Sequence, residues 1–130
     1  MTQNLNWESA RVFVSGASGI VGSWLCKELL ARGARITALI VQNEPDSELF
    51  RSGDIDRLDV VEGILENFEN TSKAIRSSGA QCVFHLGAIT IVNQALESPL
   101  ETFETNIRGT YNLLEACRQN SDRVNRIVIA

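Results

Sequence analysis

Three glycines in the stretch VSGASGIVGSWL are the residues of this chain whose spacing most directly suggests a chemical task. Gly16, Gly19 and Gly22 follow a short apolar run and precede a segment with helical spacing, so they fall where a strand becomes a helix. The first amides of a helix have no partner within the helix and carry a partial positive charge. The pattern therefore predicts a site for an anion, and a pyrophosphate fits such a site.

Each residue of this turn has a predicted role. Gly16 supplies the backbone angles of a tight turn, Gly19 leaves room for phosphates, and Gly22 lets the helix pack closely on the strand. The hydroxyl of Ser18 adds a hydrogen-bond donor. The spacing is G-x-x-G-x-x-G rather than G-x-G-x-x-G, and no lysine follows as in a loop that binds nucleotide triphosphates. Because loops also collect glycine for structural reasons, it is the position between strand and helix that favours dinucleotide binding.

The end of the second strand should lie beside the adenosine ribose of a bound dinucleotide. That end reads IVQNE, where Gln42, Asn43 or Glu44 could hydrogen-bond the ribose hydroxyls. No lysine or arginine occurs between Ile36 and Phe50, so a 2′-phosphate would lack a counter-charge. NAD is therefore favoured over NADP.

Apolar runs of strand length alternate with longer helical patterns along the chain. The patterns predict strands over residues 11–15, 35–41, 58–63, 82–86 and 126–130 and helices over residues 20–32, 67–78 and 100–119. Such alternation implies parallel strands joined by right-handed crossovers. The predicted fold is α/β, a Rossmann-type doubly wound parallel sheet with strand order 3-2-1-4-5, cut after its fifth strand.

Composition excludes several classes of function. With 130 residues the chain is one domain, and its net charge of −4 with scattered basic residues argues against a nucleic-acid surface. No run approaches the ~18 apolar residues of a membrane span, and the polar start MTQNLNWESA lacks the apolar core of a secretion signal. Cys26, Cys82 and Cys117 are predicted to be buried thiols in a reducing cytosol, with a redox or metal role as the minor alternative.

Three motifs in order resemble the N-terminal part of the extended short-chain dehydrogenase/reductases, the family of nucleotide-sugar epimerases and 4,6-dehydratases. The motifs are VSGASGIVGSWL, VFHLGA and SPLETFETNIRGTYNLLEACR, and the resemblance covers nearly the whole chain. The segment NWESARVFVSG, with Trp7 just before the first strand, looks most like the CDP-glucose 4,6-dehydratase branch. The resemblance implies that residues 1–130 are an incomplete NAD(P)-binding Rossmann domain, with the substrate domain absent.

The resemblance also implies a set of cofactor contacts. Pyrophosphate contacts would come from Gly16, Ser18, Gly19, Ile20, Val21 and Gly22. Adenine contacts would come from Ile64 and Leu65, although the family commonly carries Asp where this chain has Ile64. The ribose and nicotinamide side would be lined by Leu86, Gly87, Ala88 and Thr90, and Asn106 matches the family's Asn in the long helix.

Two of these assignments have structural alternatives. The side chain of Asn106 could simply satisfy backbone groups, and Leu86 to Ala88 could be a packed strand end. The single histidine, His85, also matches a family position and is interpreted as a structural hydrogen-bonding residue, not as a catalyst or metal ligand.

The chemistry that the resemblance implies is a transient hydride transfer. A tyrosine with a lowered pKa removes a proton from the sugar 4-hydroxyl while NAD takes the hydride, and a lysine four residues on holds that tyrosine ionised. The 4-ketone then permits elimination or epimerisation, and the hydride returns. No Tyr-x-x-x-Lys occurs in this chain, because Glu115 lies four residues after the only tyrosine, Tyr111. No catalytic residue is therefore assigned, and the chain alone is expected to be inactive.

Three functions remain open at this stage. The first is the NAD-binding portion of a cytoplasmic nucleotide-sugar 4,6-dehydratase or epimerase, whose full-length parent binds the nucleotide sugar. The second is a stand-alone NAD(P)-binding regulatory or sensor module, and the third is a non-binding remnant that serves assembly. Because Phe103, Ile107, Tyr111 and Leu114 share one side of the helix over residues 100–119, a homodimer through that helix is predicted.

Overall fold

β-branched and aromatic residues fill five strands, and the glycine and polar stretches between them fall in turns and helix ends. A computed structural model describes residues 5–130 of the protein. The prediction that no secretion signal is present rests partly on residues 1–4, which lie outside the described residues. The strands are β1 (Arg11–Ser15), β2 (Arg35–Ile40), β3 (Asp59–Glu62), β4 (Cys82–His85) and β5 (Arg126–Ile129).

Helices connect the strands. They are α1 (Ile20–Ala31), α2 (Glu48–Arg51), α3 (Phe68–Ser78), α4 (Val92–Glu97), α5 (Pro99–Phe103) and α6 (Gly109–Gln119). A short 3₁₀ helix, Asp54–Arg57, follows α2, and a π-helical turn, Glu104–Arg108, joins α5 to α6. No helix in the described part of the chain is long and apolar enough to cross a bilayer.

The sheet has the order β3-β2-β1-β4-β5, and every neighbouring pair is parallel. This confirms the predicted Rossmann-type doubly wound arrangement. The chain reverses direction across the sheet between β1 and β4, so their carboxyl ends form the switch point where ligands bind in such folds. Ser15 of β1 pairs there with His85 of β4 and with Leu39 of β2.

Two apolar cores lie on opposite faces of the sheet. The first core packs α1 and α2 against alternate residues of β1 and β2, such as Val14 and Ile36. The second core packs α3 and α6 against the other face, through residues such as Phe13 and Val83. Trp7, which supported the sequence resemblance, packs at the edge of the first core.

The buried face of α1 differs from the predicted one. The spacing of Val21, Leu25 and Leu29 predicts one apolar face, but Val21 is 68% exposed. The buried residues are instead Gly22, Ser23, Cys26, Leu29 and Leu30. The reason is steric, because Gly22 brings the first turn of α1 against the backbone of Gly16 and so turns Val21 outward.

The predicted helix over residues 100–119 is present as one continuous run of helical residues from 99 to 119, with the π-helical turn inside it, and α4 before it was not predicted. The apolar side chains Phe103, Ile107, Tyr111 and Leu114 are between 40% and 57% exposed. Toward the second core α6 instead presents smaller and polar residues, namely Gly109, Asn112, Leu113, Ala116 and Cys117. The four apolar side chains from Phe103 to Leu114 therefore lie on the side that faces away from the core.

The predicted burial of the three cysteines is confirmed. Burial raises the pKa of the Cys26 thiol to about 12 and that of Cys117 to about 11, and it also raises the pKa of Cys82. These thiols are protonated near neutral pH, so they pack as small apolar groups.

Leu113 and Leu114 are adjacent residues of α6 that test which side of the helix is core. Leu113→Ala should lower the free energy of unfolding by about 2–5 kcal/mol, because it leaves a cavity in the second core. Leu114→Ala should cost less than about 1 kcal/mol, because that side chain is 40% exposed. Urea denaturation of both variants measures the difference, and equal losses would contradict the orientation of α6.

Candidate functional site

The turn between β1 and α1 is built from backbone-to-backbone contacts. Gly16 has a φ of 72°, and a Cβ at this position would lie 2.5 Å from the backbone nitrogen of Gly87. The turn is closed by the amide of Gly19, which donates to the carbonyl of Gly16 at 3.1 Å. A Cβ at Gly22 would overlap the same carbonyl oxygen. Any side chain at Gly16 or Gly22 would therefore push apart the turn, α1 and the end of β4.

The first turn of α1 is open toward solvent. Within residues 5–130 no side chain caps this helix, and its first turn carries no acidic residue. A Cβ built on Gly19 would contact only the carbonyl oxygen of Gly16, at 3.3 Å, so the rest of its surroundings is open space. The helix dipole and the first amides therefore face an accessible space, and this cradle fits a pyrophosphate.

A serine hydroxyl ties the segment after β2 to this turn. Ser47 donates to the carbonyl of Ser18 at 2.7 Å and lies 3.1 Å from the hydroxyl of Ser23. It also caps α2 by accepting from the amide of Leu49. The ion pair between Lys27 and Glu48, at 2.6 Å, fastens α2 to α1.

The ends of β2 and β3 enclose a cavity of about 180 Å³ on the α1 side of the sheet. Gln42 and Asn43 line this cavity, as do the apolar side chains of Ile40, Phe50 and Val60. The structure thus places two of the three candidate ribose-binding residues beside the ends of β2 and β3, with an apolar wall next to them, and Glu44 is not among the lining residues.

Of the two predicted adenine contacts, Ile64 is 43% exposed and Leu65 is buried. Leu65 packs against the Cα positions of Gly87 and Gly109. The side-chain amide of Asn112 donates to the backbone carbonyl of Leu65 at 2.9 Å. The side chain of Leu65 therefore packs between the end of β4 and α6. Of the two residues, only Ile64 has a side chain exposed to solvent.

Asn106 lies in the π-helical turn, and its side chain bonds to the backbone of Ile89. Its amide oxygen accepts from the backbone N–H of Ile89 at 2.8 Å, and its amide nitrogen donates to the carbonyl of Ile89 at 2.9 Å. The alternative in which Asn106 satisfies backbone groups is thus the arrangement in this structure. Its effect is to hold the segment after β4, where Ala88 and Thr90 are exposed.

His85 is buried and hydrogen-bonded through both ring nitrogens, as the interpretation of a structural residue requires. Its Nδ1 lies 2.7 Å from the hydroxyl of Ser15, and its Nε2 lies 2.9 Å from the hydroxyl of Thr110. Burial lowers the pKa of the imidazole below its ordinary value of 6.5. His85 is therefore neutral in the folded protein near pH 7.

The structure brings most of the predicted residues to the carboxyl ends of β1, β2 and β4. Gly16 and Gly87 are in direct backbone contact, and Leu86 donates its amide to the carbonyl of Ser15. The polar side chains that support this edge were not predicted: Ser15, Ser47, Thr110 and Asn112. Only Ser47 carried a local signal, since a serine before a short helical pattern is a favoured helix cap.

Residues 12–130 match the NAD dependent epimerase/dehydratase family, so the chain belongs to that family. CDP-glucose 4,6-dehydratase from Salmonella typhimurium is 36% identical over 117 residues, which are 87% of this chain and 32% of that protein. UDP-glucose 4-epimerase from Klebsiella pneumoniae is 29% identical over 113 residues, 83% of this chain and 80% of that protein. These findings confirm the predicted family and the likeness to CDP-glucose 4,6-dehydratase.

Solved structures show the same likeness. The UDP-glucose 4-epimerase of Thermus thermophilus, solved with NAD, has a TM-score of 0.77 and 31% identity over 90% of this chain and 36% of its own. MoeE5, solved with UDP-glucose and NAD, has a TM-score of 0.74 and 28% identity over 92% of this chain. The chain therefore spans about a third of the length of the dehydratase and of these neighbours. The predicted cofactor, NAD, agrees with the family's description and with these complexes.

The buried neutral imidazole predicts that stability depends on pH. Because the pKa of His85 is lower in the folded than in the unfolded chain, the unfolded state binds the proton more readily. The contribution of His85 is complete above about pH 6.5 and is lost as the pH falls, by at most about 1.4 kcal/mol per pH unit. Urea denaturation between pH 7.5 and 5.5, values that bracket the ordinary pKa of about 6.5, measures this loss.

The control is His85→Gln, which removes the only histidine of the chain. This variant should be less stable overall but should lack the histidine part of the pH dependence. The same decrease with pH in both proteins would show that His85 is not its source.

Proposed function

We propose that this chain binds NAD along the carboxyl edge of its sheet and is the cofactor-binding portion of a nucleotide-sugar 4,6-dehydratase or epimerase. The observation that carries the proposal is the start of α1. No side chain among the described residues caps it, and its cradle at Gly16 and Gly22 has no room for a Cβ. Such a cradle has amide donors, positive potential and space for a pyrophosphate. Family membership supports the dinucleotide as its occupant.

The chain's residues hold the two halves of NAD in the proposed complex. The amides at Ile20 and Val21 bind the pyrophosphate beside Gly19, and Gln42 and Asn43 bind the adenosine ribose. The segment from Leu86 to Thr90 lies on the nicotinamide side, with adenine beside the exposed Ile64. The chemistry that NAD would supply at this site is the reversible acceptance of a hydride from the sugar.

We propose further that the general base is not among these 130 residues. The ring of Tyr111 lies half-exposed on the outer side of α6, 5.9 Å from the guanidinium carbon of Arg108. Glu115, four residues later, accepts hydrogen bonds from Arg118 at 2.7 Å and from Gln119 at 3.0 Å, and these bonds lower the pKa of its carboxyl to about 2. A carboxylate there does not supply the cation that a tyrosine base needs. The full-length protein would provide that pair and the contacts to the nucleotide sugar.

Calorimetric titration tests the cofactor site. The wild-type chain should bind NAD to saturation, and Gly19→Val should weaken binding by about tenfold or more because the new side chain obstructs the phosphates. NADP should bind more weakly than NAD, because no basic residue lies between Ile36 and Phe50 to pair with a 2′-phosphate.

Ala31→Val is the matched control, since it adds the same kind of branched side chain at the exposed far end of α1. It should leave the affinity for NAD unchanged. If the folded wild-type chain does not bind NAD, or if Gly19→Val binds as tightly as wild type, the proposed cofactor site is wrong.

The exposed apolar side chains of α5, the π-helical turn and α6 support a homodimer in our proposal. Phe103, Ile107, Tyr111 and Leu114 lie on the outer side of these segments, and a second copy of the same surface would remove them from water. We also propose a cytoplasmic location, which the three free buried cysteines support.

Sedimentation velocity tests the dimer. The wild-type chain should sediment as a dimer over a wide concentration range, and Ile107→Glu should sediment as a monomer because it places a charge in the interface. Val60→Glu makes the same kind of change on β3, at the opposite edge of the sheet, and should leave the dimer intact. A monomeric wild-type chain would exclude this interface.

A further inference from the structure

A chain of hydrogen bonds crosses the second core directly beneath the proposed cofactor site. It runs from the amide of Gly87 through Ser15, His85 and Thr110 to the carbonyl of Asn106. The five residues belong to β1, β4 and its following segment, the π-helical turn and α6. Among the described residues, every buried side-chain nitrogen and oxygen atom has a hydrogen-bond partner, and this includes the buried side-chain atoms of this series of bonds.

The direction of every bond in this chain follows from its two ends. The Asn106 carbonyl can only accept, so Thr110 gives its single hydroxyl proton to it, at 2.7 Å. The hydroxyl of Thr110 must then accept from His85, at 2.9 Å, which places a proton on Nε2.

A neutral imidazole with a proton on Nε2 has an acceptor at Nδ1. Ser15 therefore donates to Nδ1 at 2.7 Å, and its oxygen accepts from the amide of Gly87 at 3.2 Å. Only one tautomer of His85 satisfies all four bonds.

We propose that His85, fixed in the neutral Nε2–H tautomer, is a positioning residue for the cofactor site. It acts through Ser15, which precedes Gly16 in the turn, and through Thr110, which lies one helical turn after Asn106. This series of hydrogen bonds thereby sets the spacing between the pyrophosphate cradle and the segment on the nicotinamide side. This proposal rests on the proposed function, because it concerns the geometry of that same NAD site.

Directional hydrogen bonds are needed here because the contacts around Gly87 leave little room for the backbone to move. A Cβ at Gly87 would lie 3.3 Å from both the nitrogen of Gly16 and the hydroxyl oxygen of Ser15. Small displacements of the protein groups that contact a ligand have large effects on its binding. Hydrogen bonds fix angles as well as distances, so they hold such groups in place better than apolar packing alone.

Thr110→Val tests the proposal, because it keeps the shape of the side chain and removes the hydroxyl that joins His85 to Asn106. Calorimetric titration with NAD should show binding weakened by roughly tenfold. Thr110→Ser keeps the hydroxyl and should restore affinity close to that of wild type.

Thr71→Val is the matched control in a different helix. Thr71 is buried and, like Thr110, bonds the carbonyl four residues earlier, that of Asn67 at 3.3 Å. It lies in α3, outside the series of hydrogen bonds through His85. It should lose stability, measured by thermal unfolding, while its affinity for NAD stays within about twofold of wild type.

Nitrogen NMR of wild-type protein gives a second measurement that does not depend on any variant folding. The chain has a single histidine, so its two ring nitrogens are assigned without ambiguity. Long-range proton–nitrogen spectra at neutral pH should show a proton on Nε2 and none on Nδ1, both with and without NAD.

The outcomes separate this proposal from the one on which it rests. A wild-type chain that does not bind NAD refutes the proposed function itself. A wild-type chain that binds NAD while Thr110→Val binds equally well refutes the positioning role of His85 alone. If Thr110→Val does not fold, the NMR result decides, and a proton on Nδ1 or a mixture of tautomers overturns the proposal.

Discussion

The close approach of two backbones, at Gly16 and at Gly87, is the constraint on which the rest of this structure depends. Parallel strands end at the same edge of a sheet, and the chain can turn from β1 into α1 beside β4 only if no side chain intervenes. The resulting turn points the first amides of α1 into open space. An anion site is therefore a consequence of how tightly the switch point of the sheet is packed.

Polar side chains support this edge from both faces of the sheet. On the α1 side, Ser47 binds the carbonyl of Ser18 and holds the segment after β2 against the turn. On the other side, His85 joins β1 and β4 to α6. In both places hydrogen-bonded side chains join neighbouring elements, an arrangement that favours an edge formed before any ligand binds.

The fold was predictable because its signals are local. Strand runs, helical periods and glycines determine the order of elements, and the rule for crossovers then leaves only a few sheet topologies, among which the glycine turn after β1 favours the Rossmann order. The packing of the helix over residues 100–119 was harder to predict, since the side chains Phe103 and Ile107 indicated a dimer surface but did not show which residues face the core. In the structure Leu113 and Ala116 face the core, and the helix contains a π-helical turn that hydropathy alone does not predict.

The candidate site was predictable only in part, for a physical reason. Gly16 and Gly22 are required by backbone sterics, which leave a mark in sequence spacing. By contrast, Ser15 and Thr110 act through bonds to His85 from residues far away in sequence, and no periodic pattern records such partners. The buried position of Leu65 between the end of β4 and α6 is likewise a property of the packed fold.

The most direct measurement of the central claim is a crystal structure of this chain with NAD. The pyrophosphate should lie within hydrogen-bond distance of the backbone nitrogens at the start of α1, with the nicotinamide half toward the segment after β4. A dinucleotide bound at another place on the protein, or an α1 start covered by protein atoms, would contradict it.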